Sequence, residues 1–164
     1  MSLFFPAIQS KIPTWEAAQV QVRAWQAQGE RVVFTNGCFD LIHYGHLQYL
    51  AAAAQLGTHL VVGLNSDASV RALKGDHRPI KDFNSRVALM ASLSFVDLVV
   101  VFEALTPLEL IQTLSPDVLL KGGDCKPAQI VGADWVLSKG WIVQNLPYLD
   151  GFSTTYIEKK ILDR

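Results

Sequence analysis

Apolar residues follow two rhythms along this chain. In Val32–Phe34, Leu60–Val62, Leu98–Val101 and Val118–Leu120 they stand on consecutive positions, and "WIVQNL" continues the series near the C-terminus. Such runs fit strands covered on both faces, because a sheet with one wet face alternates apolar and polar side chains. Between the runs, "HLQYLAAAAQLG", "SDASVRALKG", "DFNSRVALMASL" and "TPLELIQTL" carry the wider spacing of helices, and a last helix follows the fifth run. The alternation predicts an α/β fold, a doubly wound parallel sheet of about five strands with helices on both faces. In "TPLE", Thr106 is expected to cap a helix, with Pro107 at its first position and Glu109 closing a capping box. Upstream, Thr14 is a fair N-cap for "WEAAQVQVRAWQAQ", which Gly29 stops. Residues 1–30 are therefore expected to form a helical segment packed on one domain at 31–164, with no repeat, linker or low-complexity tract.

In an open parallel sheet ligands bind beyond the carboxyl ends of the strands. Polar clusters fall at four such ends: "TNGCFDLIHYGH", "NSDASVRALKGDHRP", "KGGD" and "DGFSTT". In the first, Gly37 permits a tight turn or a close backbone approach, and a helix N-terminus that favours an anion follows. His43 and His46 share one face of its opening, and Gly45 between them removes a side chain that would crowd a ligand. The cluster reads as a phosphate site, although neither a Walker A loop nor a G-x-G fingerprint is present. Two histidines at this spacing also suit zinc, but the remaining ones, His59 and His77, offer no third ligand at helpful spacing. No metal site is expected in the protein itself.

Composition narrows the partners. Half of the 164 residues are hydrophobic, and 14 lysines and arginines stand against 15 acids. No overall positive field draws in nucleic acid or anionic lipid, so an anionic ligand must be held locally. Two cysteines, Cys38 and Cys125, make no disulfide framework and fit a reducing cytoplasm. No window approaches the roughly 18 apolar residues of a membrane span, and the N-terminus lacks a basic region leading into one. A soluble, unprocessed, cytoplasmic protein is expected. Phe4, Phe5 and Trp15 are free to pack on the domain or on a second subunit.

With these residues in hand, the chain resembles a known family. "His43-Tyr44-Gly45-His46" matches the HxGH signature of the nucleotidyltransferases that include cytidylyltransferases and adenylyltransferases, and "GFSTTYI" resembles their C-terminal ISSTxxI signature. More narrowly, "VVGLNSDASVRALKG", "RPI", "LKGGD", "IVGADWV" and "GFSTTYIEKKI" resemble the ADP-heptose synthase domain, which adenylylates D-glycero-β-D-manno-heptose 1-phosphate. That domain is often fused behind a sugar kinase; with no kinase-length segment here, the stand-alone form is expected. The resemblance implies a Rossmann-like fold, ATP as substrate and Mg2+ riding on its phosphates. It also implies small-molecule partners, no nucleic acid and no membrane, and it leaves open a homo-oligomer and a separate sugar kinase of the same pathway.

The resemblance also implies roles. His43, His46 and Lys74 would be catalytic. Thr35, Asn36, Gly37, Cys38, Phe39, Arg86, Lys121, Gly122, Asp124, Ser153, Thr154 and Thr155 would bind nucleotide, and Asp40 and Asn65 the acceptor. Plainer readings stand beside these: Ser153 as a helix cap, Asp40 as a cap for its turn, Lys74 and Arg86 as solvated helix charges. Lys121 ends an apolar strand, where a charge is costly unless it serves the cleft or snorkels out. Neither cysteine has an evident catalytic role. Related glycerol-phosphate cytidylyltransferases carry an arginine just before the C-terminal signature, where this chain has Tyr148, which argues against cytidine. A glycerol-3-phosphate or phosphoethanolamine cytidylyltransferase and a non-enzymatic nucleotide-binding module remain the alternatives.

Overall fold

The computed structural model describes residues 6–123, 126–147, 149 and 151–163; Phe4, Phe5, Asp124, Cys125 and Tyr148 lie outside them. In chain order the elements are α1 (Pro6–Gln9), α2 (Trp15–Ala27), β1 (Val32–Gly37), α3 (Tyr44–Ala54), β2 (His59–Asn65), α4 (Asp67–Lys74) and α5 (Phe83–Ser92). Then come β3 (Leu98–Phe102), α6 (Leu108–Leu114), β4 (Val118–Gly122), a 3-10 turn at Pro127–Gln129, α7 (Ala133–Ser138), β5 (Ile142–Leu146) and α8 (Thr154–Leu162). The five strands form one sheet in the order β3-β2-β1-β4-β5, every pairing parallel. This is the helix-covered parallel sheet that the consecutive apolar runs predict.

Alternate side chains of those runs divide between two cores. Val32 and Phe34 of β1 and Val61 of β2 face one side, packed with Ala18 and Val22 of α2 and with Leu110, Ile111 and Leu114 of α6. Val33, Leu60, Val62 and Leu64 face the other, packed with Tyr49 and Leu50 of α3 and Val87 and Met90 of α5. The N-terminal segment thus contributes to the core. It is tied further by Trp15, whose indole N–H donates to the Val101 carbonyl at 2.6 Å, and by the Lys11 carbonyl, which accepts from Val99 N–H at 2.8 Å. Thr14 caps α2 through Ala17 N–H, and Gly29 follows it in the left-handed region at φ 79°.

Two local expectations change. Thr106 does not cap α6: Pro107 occupies the N-cap position with φ −81° and its carbonyl accepts from Ile111 N–H, while Thr106 lines the cleft described below. The helix starts one residue later than "TPLE" suggests, so Glu109 falls at the second helical position, outside capping-box spacing. In the β1–α3 turn the left-handed residue is Phe39, at φ 44°, and not Gly37. Gly37 is needed for space, since a Cβ there would lie 3.0 Å from the Phe39 ring.

Candidate active site

The winding of the sheet reverses at β1, which has β2 on one side and β4 on the other. A cavity of about 370 Å³ opens at the carboxyl ends of these three strands, bordered by Asn36 and Gly37 of β1, Asn65 of β2 and Lys121 and Gly122 of β4. The start of α3, the end of α4, the approach to α6 and the start of α8 complete its walls. This is the crevice where open α/β sheets hold their ligands.

His43 is the N-cap of α3 and His46 its third residue. The rings lie 3.9 Å apart between centroids, and Phe39 meets the His46 ring edge-on at 5.6 Å. His46 Nδ1 accepts from the His43 backbone N–H at 3.4 Å. That contact assigns the proton of the neutral ring to Nε2. Burial, with Coulombic help from His43 and Lys74, lowers the His46 pKa to about 4; burial also lowers that of His43. Both imidazoles are therefore neutral hydrogen-bond donors near pH 7 before any anion arrives. Gly45 is buried against them: a Cβ there would sit 3.1 Å from His43 Nδ1 and 3.2 Å from Phe152 Cβ.

Positive charge comes from across the cavity. Lys74 ends α4 on its rim. Lys121, next to last in β4, lines the cavity, with Nζ donating to the Asn36 carbonyl at 3.3 Å and to Asn36 Oδ1 at 3.4 Å. Thr154, the first residue of α8, lines the cavity beside free N-terminal amides. Leu73, Leu105, Pro107, Val131, Leu149 and Phe152 form apolar wall. A polyanion with an attached flat apolar group suits such a lining.

Asp40 is 3% exposed and lines the cavity. Its carboxylate accepts from Ile80 N–H, Lys81 N–H and Arg78 Nη1, each at 2.9 Å. Burial alone would raise its pKa, but the two backbone donors and the arginine together hold it below the ordinary carboxylate value. Asn65 is 3% exposed and donates from Nδ2 to Ser69 Oγ at 2.8 Å, while Cys38 Sγ lies 3.9 Å from its Oδ1.

Four expected contacts are placed otherwise. Thr35 is fully buried under the cleft and pairs with the Tyr49 hydroxyl at 2.5 Å, because its neighbour Asn36 takes the alternate that faces the opening. Arg86, also fully buried, donates to the Cys38 carbonyl at 2.7 Å, the Asn65 carbonyl at 2.9 Å and Asp67 Oδ1 at 2.7 Å. It braces the ends of β1 and β2 from behind the site and does not line it. Ser153 Oγ accepts from Tyr156 N–H at 3.0 Å, so its hydroxyl caps α8 while the residue borders the outer groove. Thr155 is exposed and outside the lining. Sequence reasoning assigned no role to Arg78, although it lies in the polar cluster after β2, or to Phe152 and the rest of the apolar wall, which spacing alone does not assemble.

Residues 34–160 match the family model described as cytidylyltransferase-like. Over 155 residues, 94% of its length, the chain is 53% identical to "Bifunctional protein HldE" of Trichlorobacter lovleyi. It is 54% identical over 140 residues to the protein of the same name from Hydrogenovibrio crunogenus. It spans only 32% and 29% of those two relatives. A solved lipopolysaccharide core biosynthesis protein from Thermoplasma volcanium superposes with a TM-score of 0.58 at 28% identity, covering 74% of this chain and 98% of that one.

Proposed function

Since the chain belongs to the cytidylyltransferase-like family, we propose that it transfers AMP from ATP to D-glycero-β-D-manno-heptose 1-phosphate, giving ADP-heptose and pyrophosphate for lipopolysaccharide core synthesis. Residues 31–164 would be the transferase domain, with 1–30 packed on it, working in the cytoplasm. Support for the acceptor comes from the HldE relatives and the lipopolysaccharide core protein. Support for the chemistry comes from one observation above all: two neutral histidines face Lys74, Lys121 and Thr154 around a single cavity.

A phosphate oxygen of the sugar attacks the α-phosphorus of ATP. The new P–O bond forms as the bond to the β-bridging oxygen breaks, and the electron pair leaves with pyrophosphate. The nucleophile is already anionic at neutral pH, so no general base is needed. The protein's contribution is in-line placement and stabilisation of charge on the phosphoryl oxygens. His46 Nε2–H and His43 would donate to the α-phosphoryl oxygens, Lys74 and Lys121 would neutralise the triphosphate, and Thr154 with the α8 amides would hold the distal phosphates. Among the described residues Asp40 is the one carboxylate lining the cleft, and its oxygens are already engaged. No group of three or more histidine, cysteine or acidic side chains there would hold a metal. Mg2+ would thus bind through the phosphate oxygens and water, where it neutralises charge.

The test is pyrophosphate release with Mg2+, each nucleoside triphosphate and a panel of phosphorylated acceptors. Heptose 1-phosphate with ATP should be fastest, with ATP preferred over CTP by about tenfold or more in kcat/KM. Faster turnover with CTP and glycerol 3-phosphate or phosphoethanolamine would assign a cytidylyltransferase. Silence on every acceptor would leave a nucleotide-binding module.

A further inference from the structure

Arg78 does not line the cleft, yet it joins two parts that do. Nη1 donates to Asp40 Oδ2 at 2.9 Å, and Nη2 is ion-paired with Glu158 Oε1 on α8. Asp40 stands three residues before His43, in the turn that delivers both histidines. Glu158 stands four residues after Thr154, one turn along the same helix. Asp40 also fixes the loop carrying Arg78, through Ile80 N–H and Lys81 N–H. One buried carboxylate and one guanidinium therefore connect the β1–α3 turn, the loop after α4 and the last helix.

α8 depends on such a connection because it contributes no buried residue of its own. Beside it, Phe152 meets Tyr44 edge-on at 5.3 Å, an exposed aromatic contact. Among the described residues, and apart from the local cap by Ser153, no other side-chain hydrogen bond or ion pair joins α8 to the rest of the protein. Arg78 is 16% exposed in its side chain and Glu158 29%, so the pair is partly shielded from water. A planar guanidinium spans two carboxylates in a way a lysine ammonium does not.

We propose that Arg78 is a positioning residue: through Glu158 it seats α8 so that Thr154 meets the distal phosphates of ATP, in register with the histidine turn held by Asp40. This rests on the phosphate role given to Thr154 under Proposed function, which the experiment tests separately. Glu158→Ala removes only the α8 end of the link, at a site where alanine favours the helix and leaves the core untouched. Calorimetry with ATP and with AMP is run on the full chain, on E158A, on T154V and on the double variant, with melting temperature as the check on folding.

E158A should weaken ATP binding about threefold to tenfold while AMP binding stays within about twofold. In the T154V background the same change should add little, because the helix would no longer present a hydroxyl to misplace. Arg78→Lys should behave like E158A, with KM for ATP rising more than kcat falls. A T154V loss with none in E158A, equal weakening of AMP and ATP in E158A, or strictly additive losses would each overturn the positioning role alone. Unchanged ATP binding in T154V would overturn the phosphate role of Thr154, and the positioning role with it.

Discussion

Replacing Gly45 with alanine separates catalytic geometry from stability. The added Cβ would stand 3.1 Å from His43 Nδ1, 3.2 Å from His43 Cε1 and 3.2 Å from Phe152 Cβ. Those contacts are too close for carbon, so the imidazole and the Phe152 segment must retreat by a few tenths of an ångström. Crowding of this kind costs about 1–3 kcal/mol. Against it, alanine is better than glycine in a helix by up to about 1 kcal/mol, and Gly45 lies in the first turn of α3. The net loss should be about 0–3 kcal/mol. At roughly 2–4 °C per kcal/mol for a domain of this size, melting should fall by no more than about 12 °C. Catalysis should suffer more. A misplacement of 1 Å costs about a hundredfold, so a shift of a few tenths implies about fourfold, and the methyl group also enters the space between His43 and Phe152. A fall of about tenfold in kcat/KM is expected. The assay pairs thermal melting with steady-state pyrophosphate release. A folded variant with undiminished kcat/KM would refute the reasoning, because the gap at Gly45 would then serve no catalytic spacing.

Other outcomes follow from the same geometry. His46→Ala should lower turnover by about a hundredfold or more, the usual scale for one oxyanion donor, with a smaller effect on ATP affinity. In the nucleotide-free protein the His46 ring should titrate near 4 by NMR, and a midpoint near 6.5 would contradict its burial. An unfolded chain binds the proton near 6.5, so this group costs the fold stability progressively as pH falls from about 6.5 towards 4. Asp40 has the opposite sign of linkage: its folded pKa is lowered, so its contribution is present above about pH 4 and is lost as pH falls through the folded value. Asp40→Asn should cost about 3 kcal/mol, seen as a melting temperature roughly 6–12 °C lower near neutral pH, with the difference shrinking in acid. Thr155→Val should leave ATP affinity unchanged where Thr154→Val weakens it, as judged by calorimetry.

The sheet was legible because its strands are covered on both sides: Val32, Val33 and Phe34 are all buried, and a run of that kind leaves few alternatives. The ends of the strands were legible too, since His43, His46, Lys74 and Lys121 all border one cavity. Reading failed where a role depends on distance in space. Arg86 stands where an arginine would approach phosphate, yet its three acceptors, two backbone carbonyls and Asp67, come from segments up to 48 positions away in the chain. Three adjacent hydroxyls at Ser153–Thr155 looked equivalent, but the helix they open turns one to its own amides, one to the cleft and one outward. α7 went unread because six residues between Gly132 and Lys139 carry barely two turns of pattern. The left-handed Phe39 gave no signal at all, since its conformation follows from packing its ring against Gly37 and His46.

Following the α-phosphorus of ATP tests the proposed reaction most directly. The protein is incubated with Mg2+ and D-glycero-β-D-manno-heptose 1-phosphate, once with ATP labelled at the α-phosphorus and once with ATP labelled at the γ-phosphorus. The α-label should appear in ADP-heptose and the γ-label in pyrophosphate, and both products should form at least about a hundredfold more slowly in His46→Ala. Label from the γ-position on the sugar, or α-label remaining in free nucleotide while the acceptor is unchanged, would contradict nucleotidyl transfer at the His43–His46 site.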